Sequence, residues 1–108
     1  MWPSYRNARL LTIQNYANEI QFSDISGIKN GIILYHVDWC GHCKYTVPVF
    51  SEFCNKNKVS GYLCDVTNIS NHDINGFPTI RKLTNYKFDD TRQIIGGVRD
   101  HSKLNVLL

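Results

Sequence analysis

Seven residues in a row, GIILYHV at 31–37, carry almost no polar side chain. A strand with one face in water alternates apolar and polar residues. A continuous β-branched run is what a strand needs when both of its faces are covered, as in a central parallel strand. The run therefore predicts an α/β domain arranged around residues 31–37. At 108 residues the chain makes one domain, 1–108, long enough for a single packed core. Its apolar content of 43% and charged content of 19% fit a folded globular protein.

The remaining patterns supply the neighbours. Residues 10–13 (LLTI) read as a short strand, and 15–28 as a helix with its exit. Residues 41–57 place Val47, Phe50, Phe53 and Cys54 on one helical face. Pro48 lies inside that helix and is expected to kink it, because its ring crowds the Lys44 carbonyl and it has no N–H. Residues 59–66 form the next strand, 67–75 leave room for a short helix only, and 77–83 with 86–95 form a hairpin turning near Asn85. Gly96-Gly97 breaks the pattern, and Asp100 caps a last helix running to Leu108. The order, βαβαβα then ββα, gives a mixed central sheet flanked by helices on both faces.

Directly after the apolar run comes DWCGHCK, 38–44. A cysteine that opens a helix at the carboxyl end of a strand occupies the place where open α/β sheets put their sites. The free N–H groups and the positive end of the helix favour its thiolate. A second cysteine three residues on lies one turn away and can close a disulfide. Cys40 is the outer residue and reads as the nucleophile; Cys43 reads as the resolving thiol. Gly41 is expected to permit a tight helix start, and Trp39 to be an exposed flank. Two other readings stand beside this one. The pair could be half of a tetrahedral zinc site, but Cys54 and Cys64 are ten residues apart, on a helix and a strand, and do not have metal-ligand spacing. The pair could also be two inert core cysteines. Cys54 and Cys64 themselves read as buried and inert, with a mutual disulfide or a secondary redox role as the alternatives. His72 and His101 read as solvated loop or cap residues.

The net charge of +3 is small and scattered, and no run of Lys and Arg exceeds two, which argues against nucleic acid. The first twenty residues lack the apolar core of a signal peptide, no stretch approaches the length of a membrane span, and LNVLL is no retention signal. The expectation is a cytoplasmic monomer away from any membrane, in a reducing compartment where CxxC pairs are catalytic or metal-binding. A chain cut from a longer precursor would belong in the endoplasmic reticulum lumen instead.

The cysteine motif is joined by Pro48 five residues after Cys43, by Phe77-Pro78-Thr79, and by Gly97 and Arg99 before the last helix. Together these resemble the thioredoxin superfamily over about residues 10–108, and WCGHCK is the form found in protein disulfide isomerases. The resemblance implies the thioredoxin fold and a cis bond before Pro78, which would face the cysteines. It implies that Phe77 pairs its backbone with extended substrate, with Pro78 and Thr79 in the same substrate-binding segment, and that Arg99 modulates Cys43. It also implies a thiol–disulfide oxidoreductase that reduces, forms or isomerises protein disulfides through Cys40 and Cys43. Its partners would be protein thiols or disulfides and a recycling reductase or oxidase, with no cofactor and no metal. The alternative is a non-catalytic interaction module on the same fold.

The dipeptide between the cysteines tunes the couple. His42 can support the Cys40 thiolate, which favours the dithiol and makes the disulfide a better oxidant. That places the expected potential toward protein disulfide isomerase, about −180 mV, and away from thioredoxin, about −270 mV. Two departures from the family pattern stand out. The buried acid that family members carry six residues before the first cysteine is Leu34 here, and the lysine that pairs with it in thioredoxins aligns with Gly61. His36, four residues before Cys40, is a candidate substitute as proton acceptor, with a structural histidine as the alternative. In addition, Cys40 to Pro78 spans only 38 positions, so the helix before the FPTI strand is expected to be trimmed.

Overall fold

The apolar run becomes β2 (Gly31–His36), and residues 32–37 are all buried. A computed structural model describes residues 17–108; the strand expected at 10–13 lies outside the described residues. The other strands are β1 (Ala17–Ile20), β3 (Gly61–Asp65), β4 (Thr79–Thr84) and β5 (Lys87–Ile95). They form one mixed sheet in the order β1-β3-β2-β4-β5. β3 pairs parallel with both β1 and β2, whereas β4 runs antiparallel to β2 and β5. β2 is therefore central, as its composition requires.

Helix α1 (Gly41–Asn57) follows β2 after four residues. Its buried face is the expected one, with Val47, Phe50, Phe53 and Cys54 all at 0% exposure. Pro48 lies inside it without ending it; the last turn closes at Lys58, whose left-handed backbone (φ 55) lets Val59 N–H reach the Cys54 carbonyl at 3.0 Å. The hairpin turn is Asn85-Tyr86, with φ of 52 and 68, the two positive values that a two-residue type I′ loop needs. It is anchored from outside: Asn85 N–H donates to Asn30 Oδ1 at 3.0 Å and Tyr86 N–H to the Lys29 carbonyl at 2.8 Å.

Three sequence expectations need correction. The helix expected over 15–28 is instead the strand β1 followed by a 3-10 helix, Phe22–Gly27. Ala17–Ile20 finds backbone partners along the open edge of β3, and that pairing outweighs local helix preference. The short helix expected in 67–75 is absent: these residues form turns and irregular chain. Side chains take over the backbone bonding there. Asp65 Oδ1 accepts from Thr67 N–H at 2.9 Å and from its hydroxyl at 2.5 Å, and His72 Nδ1 accepts from Ile74 N–H at 3.1 Å. Arg81 steadies the segment, pairing with Asp73 and Asp90 at 3.4 Å each while its guanidinium stacks on Phe88 at 3.7 Å. The last helix is capped by Asp100 as expected, but it is a 3-10 helix, His101–Leu107. Leu104 and Leu107, three apart, are its buried residues, which matches the three-residue turn of that helix.

Cys54 and Cys64 are free thiols in the core, both at 0% exposure. Burial pushes Cys54 far above the ordinary 9.0, and pushes Cys64 up to about 11 with Asp65 and Asp24 adding to it. The folded state thus keeps protons that the unfolded chain releases, so these thiols stabilise the fold fully below about pH 9 and progressively less above it. Cys54→Val is expected to flatten the loss of stability above pH 9 by about 1.4 kcal/mol per pH unit. Urea unfolding of the reduced protein across that range is the check; an unchanged slope would contradict it.

Candidate active site

Val37 ends the buried run, and residues 38–39 turn the chain so that Cys40 becomes the N-cap of α1, with extended backbone (φ −90, ψ 112). An N-cap ordinarily offers an oxygen to the free N–H groups of the first turn. Here the sulfur does so: Cys40 Sγ accepts from Cys43 N–H at 3.2 Å. Cys40 is 5% exposed and Cys43 fully buried, so Cys40 is the outer thiol, as expected. Burial holds the Cys43 thiol well above its ordinary value, the hydrogen bond to Cys40 adds to this, and a backbone contact from Val37 opposes it. The Cys40 sulfur thus receives a backbone N–H from the first helical turn and lies beside a second thiol held in its protonated form.

The Phe77–Pro78 bond is cis. Gly96 N–H donates to the Pro78 carbonyl at 2.8 Å, tying the proline loop to the end of β5. Trp39 is 72% exposed and packs edge-on against Phe77, with centroids 6.1 Å apart. Phe77 therefore lines the rim. Thr79 does not: it is 2% exposed, and its hydroxyl donates to the Gly76 carbonyl at 2.6 Å. Its side chain holds the loop. His72 is half-buried in its loop and packs edge-on against Phe77 at 5.6 Å, and His101, half-buried next to the Asp100 cap, packs against Phe53 at 5.8 Å. Gly41 is not needed for space, since a Cβ there would meet nothing within 4 Å.

The position of the missing acid is apolar throughout. Leu34 is fully buried and stands in register between Leu63 on β3 and Ile80 on β4. His36 lies on the same face two residues on. It is 2% exposed, and burial holds its imidazole below the ordinary 6.5 while Asp65 and Glu19 pull upward. His36 and Asp65 are register partners across β2 and β3. Asp65 also adds a small upward push on Cys43, and nothing in the residue pattern marks it, because it reads as a strand end. Arg99 is exposed, with its guanidinium 4.0 Å above the Tyr45 ring. Thr46, also unremarked in the sequence, is fully buried: its hydroxyl donates to the His42 carbonyl at 2.7 Å and accepts from Val98 N–H at 3.0 Å. Among the described residues, no group of three or more His, Cys, Asp and Glu is placed to hold a metal ion, and no helix is long and apolar enough to cross a membrane.

A mixed sheet of this order, with a cysteine pair opening the helix after its central strand and a cis proline just before β4, defines a thioredoxin-fold protein with a dithiol site. The comparisons agree. Residues 8–108 match the family model described as Thioredoxin, and the chain belongs to that family. It is 32% identical over 79 residues to protein disulfide-isomerase 1 of Caenorhabditis elegans, an alignment that covers 68% of this chain and 16% of that much longer protein. Among solved structures, thioredoxin of Malassezia sympodialis superposes with a TM-score of 0.69 at 22% identity, covering 89% of this chain and 92% of that one. Mitochondrial thioredoxin 3 of Saccharomyces cerevisiae superposes with a TM-score of 0.67 at 18% identity, covering 95% and 96%. At these identities the structures speak for the fold.

With no carboxylate at position 34, loss of the Cys43 proton is expected to limit release of a mixed disulfide on Cys40. The release rate should climb with pH into the alkaline range. Leu34→Asp is expected to speed release at neutral pH while lowering stability by about 3 kcal/mol, the order of cost for a polar group buried without partners. The check is stopped-flow release of glutathione from the Cys40 adduct; equal rates in both proteins would place the barrier elsewhere.

Proposed function

We propose that this chain is a thiol–disulfide oxidoreductase acting on protein disulfides through Cys40 and Cys43. The observation that carries the reading is the sulfur cap: Cys40 Sγ receives the Cys43 N–H at the start of α1, with the Cys43 thiol protonated behind it. The Cys40 thiolate attacks one sulfur of a substrate disulfide, the S–S bond breaks, and the other sulfur leaves as a thiolate that takes up a proton. Cys43 then gives up its proton and attacks Cys40 Sγ. The Cys40–Cys43 bond forms, the second substrate sulfur leaves, and the substrate has gained two electrons that the pair has lost. A dithiol reductant restores the pair. Run in reverse, with an oxidant, the same steps place a disulfide in the substrate.

The Trp39–Phe77 rim suits an extended polypeptide laid across the cysteines, and the cis bond before Pro78 supports the same reading. The Gly-His dipeptide favours isomerase-like poise over thioredoxin-like poise. The site needs no cofactor for these steps, and its direction in a cell follows the compartment's oxidant or reductant.

Insulin reduction and refolding of scrambled ribonuclease test the proposal. Wild type is expected to be active in both, Cys40→Ser in neither, and Cys43→Ser to accumulate mixed disulfides. Equal rates for wild type and Cys40→Ser would leave the fold as an interaction module. The Cys40/Cys43 potential is expected nearer about −180 mV than about −270 mV.

A further inference from the structure

Two features that lie far apart in the sequence meet on one side chain. His42 and Tyr45 are three apart and so are neighbours on the helix surface. His42 Nδ1 and Tyr45 Oη are 2.8 Å apart, with the rings edge to face at 5.8 Å. The other side of Tyr45 carries the Arg99 guanidinium, 4.0 Å from the ring centroid. The seat for the phenol is made by Gly97: a Cβ there would overlap the Tyr45 hydroxyl and come within 2.8 Å of Cζ. Thr46 fixes that segment against the helix, since its hydroxyl takes Val98 N–H and gives to the His42 carbonyl. The one aromatic ring therefore holds both groups that the sequence marks as tuning the cysteines.

We infer that Tyr45 is a positioning residue for the Cys40–Cys43 couple, fixing the His42 ring through its hydroxyl so that the dithiol form is favoured. The inference rests on the oxidoreductase reading of the cysteine pair. Its chemistry follows from the two ring nitrogens. With a neutral ring, the phenol donates to Nδ1 and the ring proton sits on Nε2. With a charged ring, Nδ1–H donates to the phenolic oxygen and Nε2 again carries a proton. Either way Nε2–H remains on the edge away from Tyr45, available to a thiolate, and the bond is stronger in the charged form. Without the hydroxyl, Nδ1 loses its partner, the exposed ring is free to turn, and the donor is present for only part of the time. Stabilising the thiolate favours the reduced pair, so its loss shifts the pair toward the disulfide.

Tyr45→Phe removes the hydroxyl and keeps the ring beneath Arg99. The reading is the equilibrium in which protein dithiol and oxidised glutathione give protein disulfide and two glutathione thiols. Tyr45→Phe is expected to favour the disulfide about threefold over wild type, in line with one hydrogen bond, which is about 14 mV toward the reducing side. Nitrogen shifts of the His42 ring are expected to show Nε2–H in wild type and a mixture of tautomers in Tyr45→Phe. His42→Ala is expected to shift the equilibrium in the same direction, and in that background Tyr45→Phe should add nothing. Wild-type values in Tyr45→Phe for both readings overturn the inference. So does a Tyr45→Phe shift that persists in the His42→Ala background, because its route is then not through His42. A wild-type protein that equilibrates with glutathione yet leaves insulin intact overturns the oxidoreductase reading alone.

Discussion

The bond from Cys43 N–H to Cys40 Sγ does three jobs at once. A helix that begins four residues after a buried strand exposes N–H groups that need acceptors, and a sulfur supplies one of them. The same bond places negative charge, when the thiol ionises, at the positive end of α1. It also sets the second thiol one turn inside the first, fully buried, so that the two sulfurs differ in environment although they differ by only three positions. Their division of labour is a consequence of desolvation. One sulfur sits at the mouth with donors aimed at it, and the other is held in its neutral form by the surrounding core.

That neutral form creates a requirement that the apolar core does not meet. Leu34 stands in register with Leu63 and Ile80, so the position where the family resemblance implies a carboxylate is apolar. The Asp65 charge acts on Cys43, and Asp65 is the register partner of His36. Burial keeps His36 below its ordinary value, which makes it a weaker proton acceptor, while the facing Asp65 charge counters part of that loss. Asp65 in turn is held by Thr67, whose hydroxyl also takes Asp38 N–H at 2.9 Å, so the carboxylate is fixed to the loop that precedes Cys40.

What was legible in the sequence was whatever burial writes directly into residue type. β2 is apolar on both faces and was readable as a central strand; α1 shows its buried face at helical spacing; the cysteines, Phe77-Pro78 and Arg99 announce themselves as motifs. The misses came from choices made by tertiary partners. Ala17–Ile20 is a strand because β3 has an open edge, a fact held in residues 61–64 and not in its own composition. Residues 67–75 lack a helix because Asp65, His72 and Arg81 offer the loop side-chain bonds instead. The Thr79 hydroxyl is bonded to the Gly76 carbonyl, a partner its own residue type does not reveal. Thr46 and Tyr45 read as ordinary positions on an amphipathic helix, and their partners lie some 50 residues on, with 52 separating Thr46 from Val98.

The two flanks of the cysteine pair are built on different physics. On the proline side, Trp39, Phe77 and His72 stand in a chain of edge-to-face aromatic contacts. On the Gly97 side, His42, Tyr45 and Arg99 form a polar stack in which every member has a fixed partner. On the proposed reading, a polypeptide crossing the site would gain contact area from the first flank without demanding a particular sequence, and the second flank would act on the sulfurs. Separating the two tasks lets the loop between β3 and β4 be short, since His72 reaches Phe77 from an irregular segment as well as a helix would. The reactivity of the pair depends instead on residues anchored to α1, the most regular element of the fold.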